Sequence, residues 1–341
     1  MVLQTDLESL ARECGFSGVV TVSRAETRLA ALATGLADRA NEQPIDPETR
    51  FALASVTKGP TALTVASLIE SGELAAHTTL RSLLPDALPL VDPSVTIEQL
   101  LAHTSGIGDY LDEAELGDID DYVMTVPVHR LVGPMDYLPM LDGHPQKAAP
   151  GSTFAYNNSG YVLLAIAIEL ATGRGYHEVV QERVLDPAGM RDTSFARTDQ
   201  PVARAAHGYL ENGRTNVLHL PVRGAGDGGL WSTASDLERF WQRLFDGQIL
   251  PLSVVERLVA PHSDVPTERR RYGLGFWLSA DRDTVMLEGM DAGISCRTAH
   301  DRTSGITYVV LANTSSGAWP LARLLDERLP SMAHTMVQPV N

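Results

Sequence analysis

Ser55-Val56-Thr57-Lys58 sets a hydroxyl and an amine three residues apart. At helical spacing these positions share a face, so the Lys58 ammonium reaches the Ser55 hydroxyl, and a helix N-terminus adds positive potential around both. A serine hydroxyl is a weak nucleophile at neutral pH, and a lysine or tyrosine that takes its proton during attack makes it competent. That is acyl-transfer chemistry through a covalent intermediate. Ser-x-x-Lys is common by chance, so its company decides. Tyr156-Asn157-Asn158 follows a Pro150-Gly151 turn. In an extended segment alternate side chains share one side, which turns Tyr156 and Asn158 toward one cleft. Gly228-Gly229-Leu230-Trp231-Ser232-Thr233, with Asp236 behind it, reads as a tight turn before a capped helix.

Other chemistries lack their residues. Gly224 to Gly229 fits G-x-G-x-x-G, but no βαβ unit surrounds it and no acid follows at the dinucleotide distance. There is no G-x-S-x-G elbow, and the ten histidines show no H-E-x-x-H spacing, so neither a metal nor another cofactor is expected. Residues 109–121 hold seven acids (Asp109, Asp112, Glu113, Glu115, Asp118, Asp120, Asp121) and no base; without calcium-loop spacing they read as a solvated face.

The elements that must position these groups follow from pattern. A short amphipathic helix at 4–14 precedes a hairpin of 18–24 and 28–36. A helix runs from Ser55 to a stop at Gly72, and another spans 96–103. Residues 107–150 lose periodicity and read as an irregular insert, a lid over a site. Helical patterns return at 159–172, 177–185 and 233–246. Strands follow at 273–279, 284–288, 294–300 and 306–312, and a helix closes the chain at 320–335. This predicts an α/β (α+β) fold in one catalytic domain, 1–341. Its antiparallel sheet comes from both termini, about 1–60 and 225–341, with a mostly helical lobe inserted at 61–224.

The 341 residues carry 27 Lys+Arg and 43 Asp+Glu, a net charge of −16, which argues against nucleic acid and against an anionic membrane surface. Cys14 and Cys296 are too few for a disulfide framework and suit a reducing compartment. The first residues lack a signal-peptide pattern, and the longest apolar run, Tyr161 to Ile168, is too short to span a bilayer. The expectation is a soluble cytoplasmic protein with a small-molecule substrate.

Taken in order, Ser55-x-x-Lys58, Leu101-Ala102-His103-Thr104-Ser105-Gly106, Tyr156-x-Asn158, Gly228-Gly229-Leu230-x-Ser232-Thr233 and Tyr272-Gly273-Leu274-Gly275 resemble the serine β-lactamase and penicillin-binding-protein superfamily. The Tyr-x-Asn form is similar to the branch of class C β-lactamases, D-aminopeptidases and family VIII esterases. The resemblance implies a β-lactamase/transpeptidase-like fold, with Ser55 as acylated nucleophile, Lys58 holding it and Tyr156 as general base. Asn158 would bind Lys58 and substrate, and His103 would be structural.

One motif departs. The Lys-Thr-Gly or His-x-Gly strand of the family is matched by Leu287-Glu288-Gly289-Met290-Asp291-Ala292-Gly293, whose cationic first position is Leu287. The Ser55 and Met290 N–H groups would still form the oxyanion hole, with Gly289, Glu288 and Asp291 around the substrate. Glu288 would either meet a cationic substrate group or be an exposed strand residue. The missing cation favours uncharged esters, amides or lactones over β-lactams and D-amino-acid peptides. Acyl transfer at the same site and a silent binding protein are the alternatives.

Overall fold

The computed structural model describes residues 2–336 apart from Ala114 and Pro201, with the backbone alone for 330–336. Eight strands form one antiparallel sheet: β1 (Gly18–Arg24), β2 (Thr27–Thr34), β3 (Ser263–Val265), β4 (Arg270–Tyr272), β5 (Trp277–Ser279), β6 (Thr284–Asp291), β7 (Ile294–Asp301) and β8 (Ile306–Ala312). Their order, β2-β1-β8-β7-β6-β5-β4-β3, joins both ends of the chain through β1 and β8, with Gly18 opposite Ala312 and Arg24 opposite Ile306.

β1 (GVVTVSR) and β8 (ITYVVLA) are apolar along nearly their whole length because both sheet faces are covered. On one face Val20, Val22, Tyr308 and Val310 pack with Leu3 and Leu7 of α1 (Val2–Glu13) and with Leu321 and Leu325 of the helix Ala318–Met336. On the other, Val19, Val309 and Leu311 belong to the core shared with the central helices. Those are α2 (Lys58–Ser71), α3 (Ile97–Leu101), α4 (Asn158–Thr172), α5 (Tyr176–Val180), α6 (Ala234–Phe245) and α7 (Leu252–Leu258), with Ala318–Met336 as α8.

Local chemistry sets the helix ends. The Asn157 side chain accepts the Gly160 N–H at 2.7 Å and starts α4, and Thr233 does the same for Asp236 at the start of α6. Gly72, with φ +79°, and Gly173, with φ +65°, end α2 and α4 in the left-handed conformation that glycine adopts without strain.

Two expectations change. Residues 273–279 are not one strand: β4 stops at Tyr272 and β5 begins at Trp277, its partner, so Gly-Leu-Gly-Phe is the turn of a hairpin. Gly275 has φ +92°, and a Cβ there would lie 2.3 Å from the Ala62 Cβ on α2, so the turn needs glycine on both counts. The acids at 109–121 are a solvated face only in part: Glu113, Glu115, Asp118 and Asp121 are exposed, but Asp109 is not. Asp109 is 7% exposed and accepts the N–H groups of Asn158 and Ser159 at 2.6 and 2.8 Å, sitting on the positive end of α4. Irregular turns do fill 107–150. No helix of the described residues is long and apolar enough to cross a membrane.

Candidate active site

Ser55 lies in a single 3-10 turn, Ala54–Thr57, that runs into α2. The turn is tied from both sides. Phe51–Ala52 pairs with Trp231–Ser232, and the Leu53 N–H donates to the Leu230 carbonyl at 2.8 Å. The Thr57 hydroxyl donates to the Ala54 carbonyl at 2.7 Å and accepts the Leu230 N–H at 3.1 Å. The Gly-Gly turn noted in the sequence is therefore a brace for the Ser55 turn. Ala54, at φ +43°, is a non-glycine residue in the left-handed region, and these bonds hold that strained conformation beside Ser55.

Lys58 is 1% exposed. Its Nζ donates to Ser55 Oγ at 2.8 Å, to Asn158 Oδ1 at 2.8 Å and to the Asp227 backbone carbonyl at 2.9 Å. An ammonium has three protons, and all three are accepted. Burial pulls its pKa below the ordinary lysine value, while Asp227, Glu113, Asp109 and Asp291 push the other way. Tyr156 packs with the Lys58 Nζ 5.0 Å from its ring centroid. Burial pushes its phenol well above the usual range, with the hydrogen bond from Ser55 acting in the opposite sense.

Gly289 explains how β6 reaches this turn. A Cβ at Gly289 would lie 2.3 Å from the Leu53 carbonyl oxygen and 2.8 Å from the Ser55 nitrogen, so the bare backbone of β6 rests against the Ser55 turn. Met290, the next residue, lines the same cleft as Ser55, Asn158 and Asp291. Leu287 is buried against Gly59 in the first turn of α2, so hydrocarbon fills the position where the family resemblance implies a cation.

Glu288 does not join them. Its carboxylate takes Arg270 Nη1 at 2.5 Å and Arg297 Nε at 2.8 Å, and Arg297 continues to Asp326 of α8 at 2.8 Å. Strand alternation sends Glu288 to the face opposite Leu287 and Gly289, and both its oxygens are satisfied there. Burial works to raise its pKa, but Arg297 and Arg270 hold it below the ordinary glutamate value.

His103 is buried and accepts the Asn157 N–H at Nδ1, 3.1 Å, with its ring 4.4 Å from that of Tyr156. Burial holds its pKa well below the usual imidazole range, so it stays neutral and supports the Tyr156-Asn157-Asn158 segment. Two carboxyls that the sequence reading left out of the site also line the cleft. Glu113 receives Asn158 Nδ2 at 3.4 Å, and Asp227 receives the Tyr110 hydroxyl at 2.5 Å. Asp227 lies within the glycine-rich run that precedes Trp231, which was its one signal in the sequence. Among the described residues no group of three or more His, Cys, Asp or Glu is arranged to hold a metal ion.

The arrangement offers a hydroxyl held by a cation and a phenol beside it, with the backbone of β6 against the same turn. Over residues 4–329 the chain matches the family described as Beta-lactamase, and it belongs to that family. It is 30% identical over 293 residues to "Penicillin-binding protein 4*" of Bacillus subtilis, covering 81% of this chain and 62% of that relative's length. It is 29% identical to "Esterase EstB" of Burkholderia gladioli, covering 87% of this chain and 86% of the esterase. The solved penicillin-binding protein from Bacillus halodurans superposes with a TM-score of 0.88 at 33% identity, over 94% of this chain and 99% of that one. The D-amino acid amidase of Ochrobactrum anthropi shares the fold, with a TM-score of 0.80 at 21% identity over 98% of each chain.

Proposed function

We propose that the protein is a serine hydrolase that works through a covalent acyl-enzyme, with carboxylic esters preferred over amides and β-lactams. The observation that carries this reading is the three-way engagement of Lys58. With its protons on Ser55 Oγ, Asn158 Oδ1 and the Asp227 carbonyl, Lys58 holds the hydroxyl but has no lone pair to act as base. The Ser55 proton is left to Tyr156.

In the first step Tyr156, ionised to its phenolate, takes that proton while the bond from Ser55 Oγ to the carbonyl carbon forms and the carbonyl π bond opens, and the oxyanion rests on the N–H groups of Ser55 and Met290. The C–O bond to the leaving group then breaks, and Tyr156 returns the proton to the departing oxygen. Water repeats the cycle on the acyl-enzyme, and an alcohol or amine in its place would make the same site an acyltransferase. Every group in these steps belongs to the chain, so the reading needs no cofactor. Buried Leu287 supports the ester preference, because a lysine or histidine there would have offered a carboxylate partner. In this reading the enzyme works in the cytoplasm on a small molecule.

A fluorophosphonate probe tests the nucleophile: wild type is labelled at Ser55 and Ser55→Ala is not. Labelling of neither, with no ester turnover, would leave a silent binding protein. If Tyr156 is the base, activity rises with pH through an ionisation that Tyr156→Phe removes, with a loss of about 10²-fold or more in kcat. An unchanged profile in that variant would return the base role to Lys58.

A further inference from the structure

The described residues that line the cleft beside Ser55 include three carboxyls, Glu113, Asp227 and Asp291, with no Lys, Arg or His. They come from separate parts of the chain: the 107–150 segment, the loop before Trp231, and the end of β6. Each accepts a hydrogen bond from a neutral group. These are Asn158 Nδ2 for Glu113, the Tyr110 hydroxyl for Asp227 and the Ala292 N–H, at 2.8 Å, for Asp291. Asp227 is only 8% exposed, and its carboxylate reaches the cleft wall with the Tyr110 hydroxyl and the backbone of Asp227 and Gly228 against it, all of them neutral groups.

Burying an anion without a cation is costly; elsewhere in this protein Asp109 is held by the N–H groups that start α4, and two other carboxylates have arginine partners. Glu288 lies between Arg270 and Arg297, and buried Asp236 is paired with Arg239 at 2.5 Å. In the cleft the neighbouring cation is Lys58, whose protons are all engaged. Aromatic faces line the same space, from Tyr110, Tyr122 and Trp231. Carboxyls beside aromatic rings bind an alkylated or quaternary ammonium well, through charge and through the ring quadrupole.

We infer that the substrate carries a positively charged nitrogen, which Asp291, Asp227 and Glu113 receive beside the aromatic rings while its carbonyl meets Ser55. For its chemistry this rests on the hydrolase reading above; for binding it does not. The acid that the sequence suggested for this task, Glu288, is on the wrong face, and Asp291 at the end of the same strand takes its place.

Two pairs of substrates test it. One is the p-nitrophenyl ester of a trimethylammonio acid against its isostere with carbon in place of the ammonium nitrogen, which puts the charge in the acyl half. The other is acetylthiocholine against its tert-butyl isostere, which puts it in the leaving half. The expected result is a kcat/KM at least about tenfold higher for the cation in one pair or both, with that ratio cut by about fivefold or more in Asp291→Asn and in Asp227→Asn. Preference for the neutral isosteres, or ratios unmoved in both variants, overturns the inference.

Calorimetry on Ser55→Ala separates the two claims, because binding there needs no turnover. Tighter binding of the cationic esters than of their isosteres supports the inference even if fluorophosphonate labels nothing and the hydrolase reading fails. Equal binding of both overturns it even if Ser55 is labelled.

Discussion

Asp291 and Glu288 stand three residues apart on β6 and meet opposite fates. Glu288 turns to two arginines; Asp291 turns to the cleft, where burial pushes its pKa up to about 7, with Asp227 and Glu113 adding to the rise and the Ala292 N–H and Lys58 opposing it. An unfolded aspartate ionises near 3.9. Between about pH 4 and 7 the folded chain therefore holds a proton that the unfolded chain has lost, and this site's contribution to stability falls as pH rises through that window. Asp291→Asn removes the titration. Its melting temperature should exceed wild type by about 2 °C or more above pH 7 and converge with it below about pH 4. Thermal scans across pH check this, and a constant difference would refute it. The Ser55, Lys58, Tyr156 and Asn158 cluster was readable in the sequence because each pair lies within one short segment, so local spacing fixes direction. Glu288 was not. A strand buried on both faces gives no hydropathy signal for which side is the cleft, and the arginines that decide it are 18 residues upstream and 9 downstream. Asp109 was misread for a similar reason, since the N–H groups it accepts lie 49 and 50 residues away.

At the scale of elements, the site exists because β6 touches the 3-10 turn, and Gly289 is the point of contact. Gly289→Ala would drive a Cβ to within 2.3 Å of the Leu53 carbonyl, inside any real contact distance, and backbone on both sides has no rotamer with which to yield. Overpacking of this kind costs about 1–3 kcal/mol, and the strand must lift away from Ser55. The expected outcome is a lower melting temperature together with a kcat reduced by about tenfold or more, as one oxyanion donor moves out of place. A variant with a lower melting temperature but wild-type kcat would show that β6 supplies no donor. Most elements were legible: the hairpin 18–24 and 28–36 corresponds to β1 and β2, and the helices ending at Gly72 and beginning near Asn158 stand where capping residues put them. Residues 273–279 were read as one strand because Leu274, Phe276 and Leu278 alternate. The hairpin turn there is set by contact of Gly275 with α2, which alternation does not encode. The sequence reading also passed over α7, whose seven residues span two turns and too little length for periodicity to register.

For the whole molecule, layering ranks local stability. β1, β8 and β7 are buried almost throughout and hydrogen-bonded on both edges, whereas residues 112–147 consist largely of short turns with exposed or half-exposed side chains. Hydrogen exchange should therefore find the slowest amides in β1, β7 and β8 and the fastest in 112–147. Uniform protection across both would contradict the layered core. That one sheet draws strands from both ends of the chain was foreseeable from their patterns; the pairing of β1 with β8 rather than with another late strand was not, because antiparallel registers of Val-rich segments look alike. That pairing also sets a timetable. As the chain leaves the ribosome, Ser55, Lys58, Tyr156 and Asn158 are all exposed long before β6, and β1 waits nearly three hundred residues for the edge it needs. The nascent protein must therefore shelter an open β-hairpin while its helices assemble, and β6 can meet the Ser55 turn only after those helices have been made.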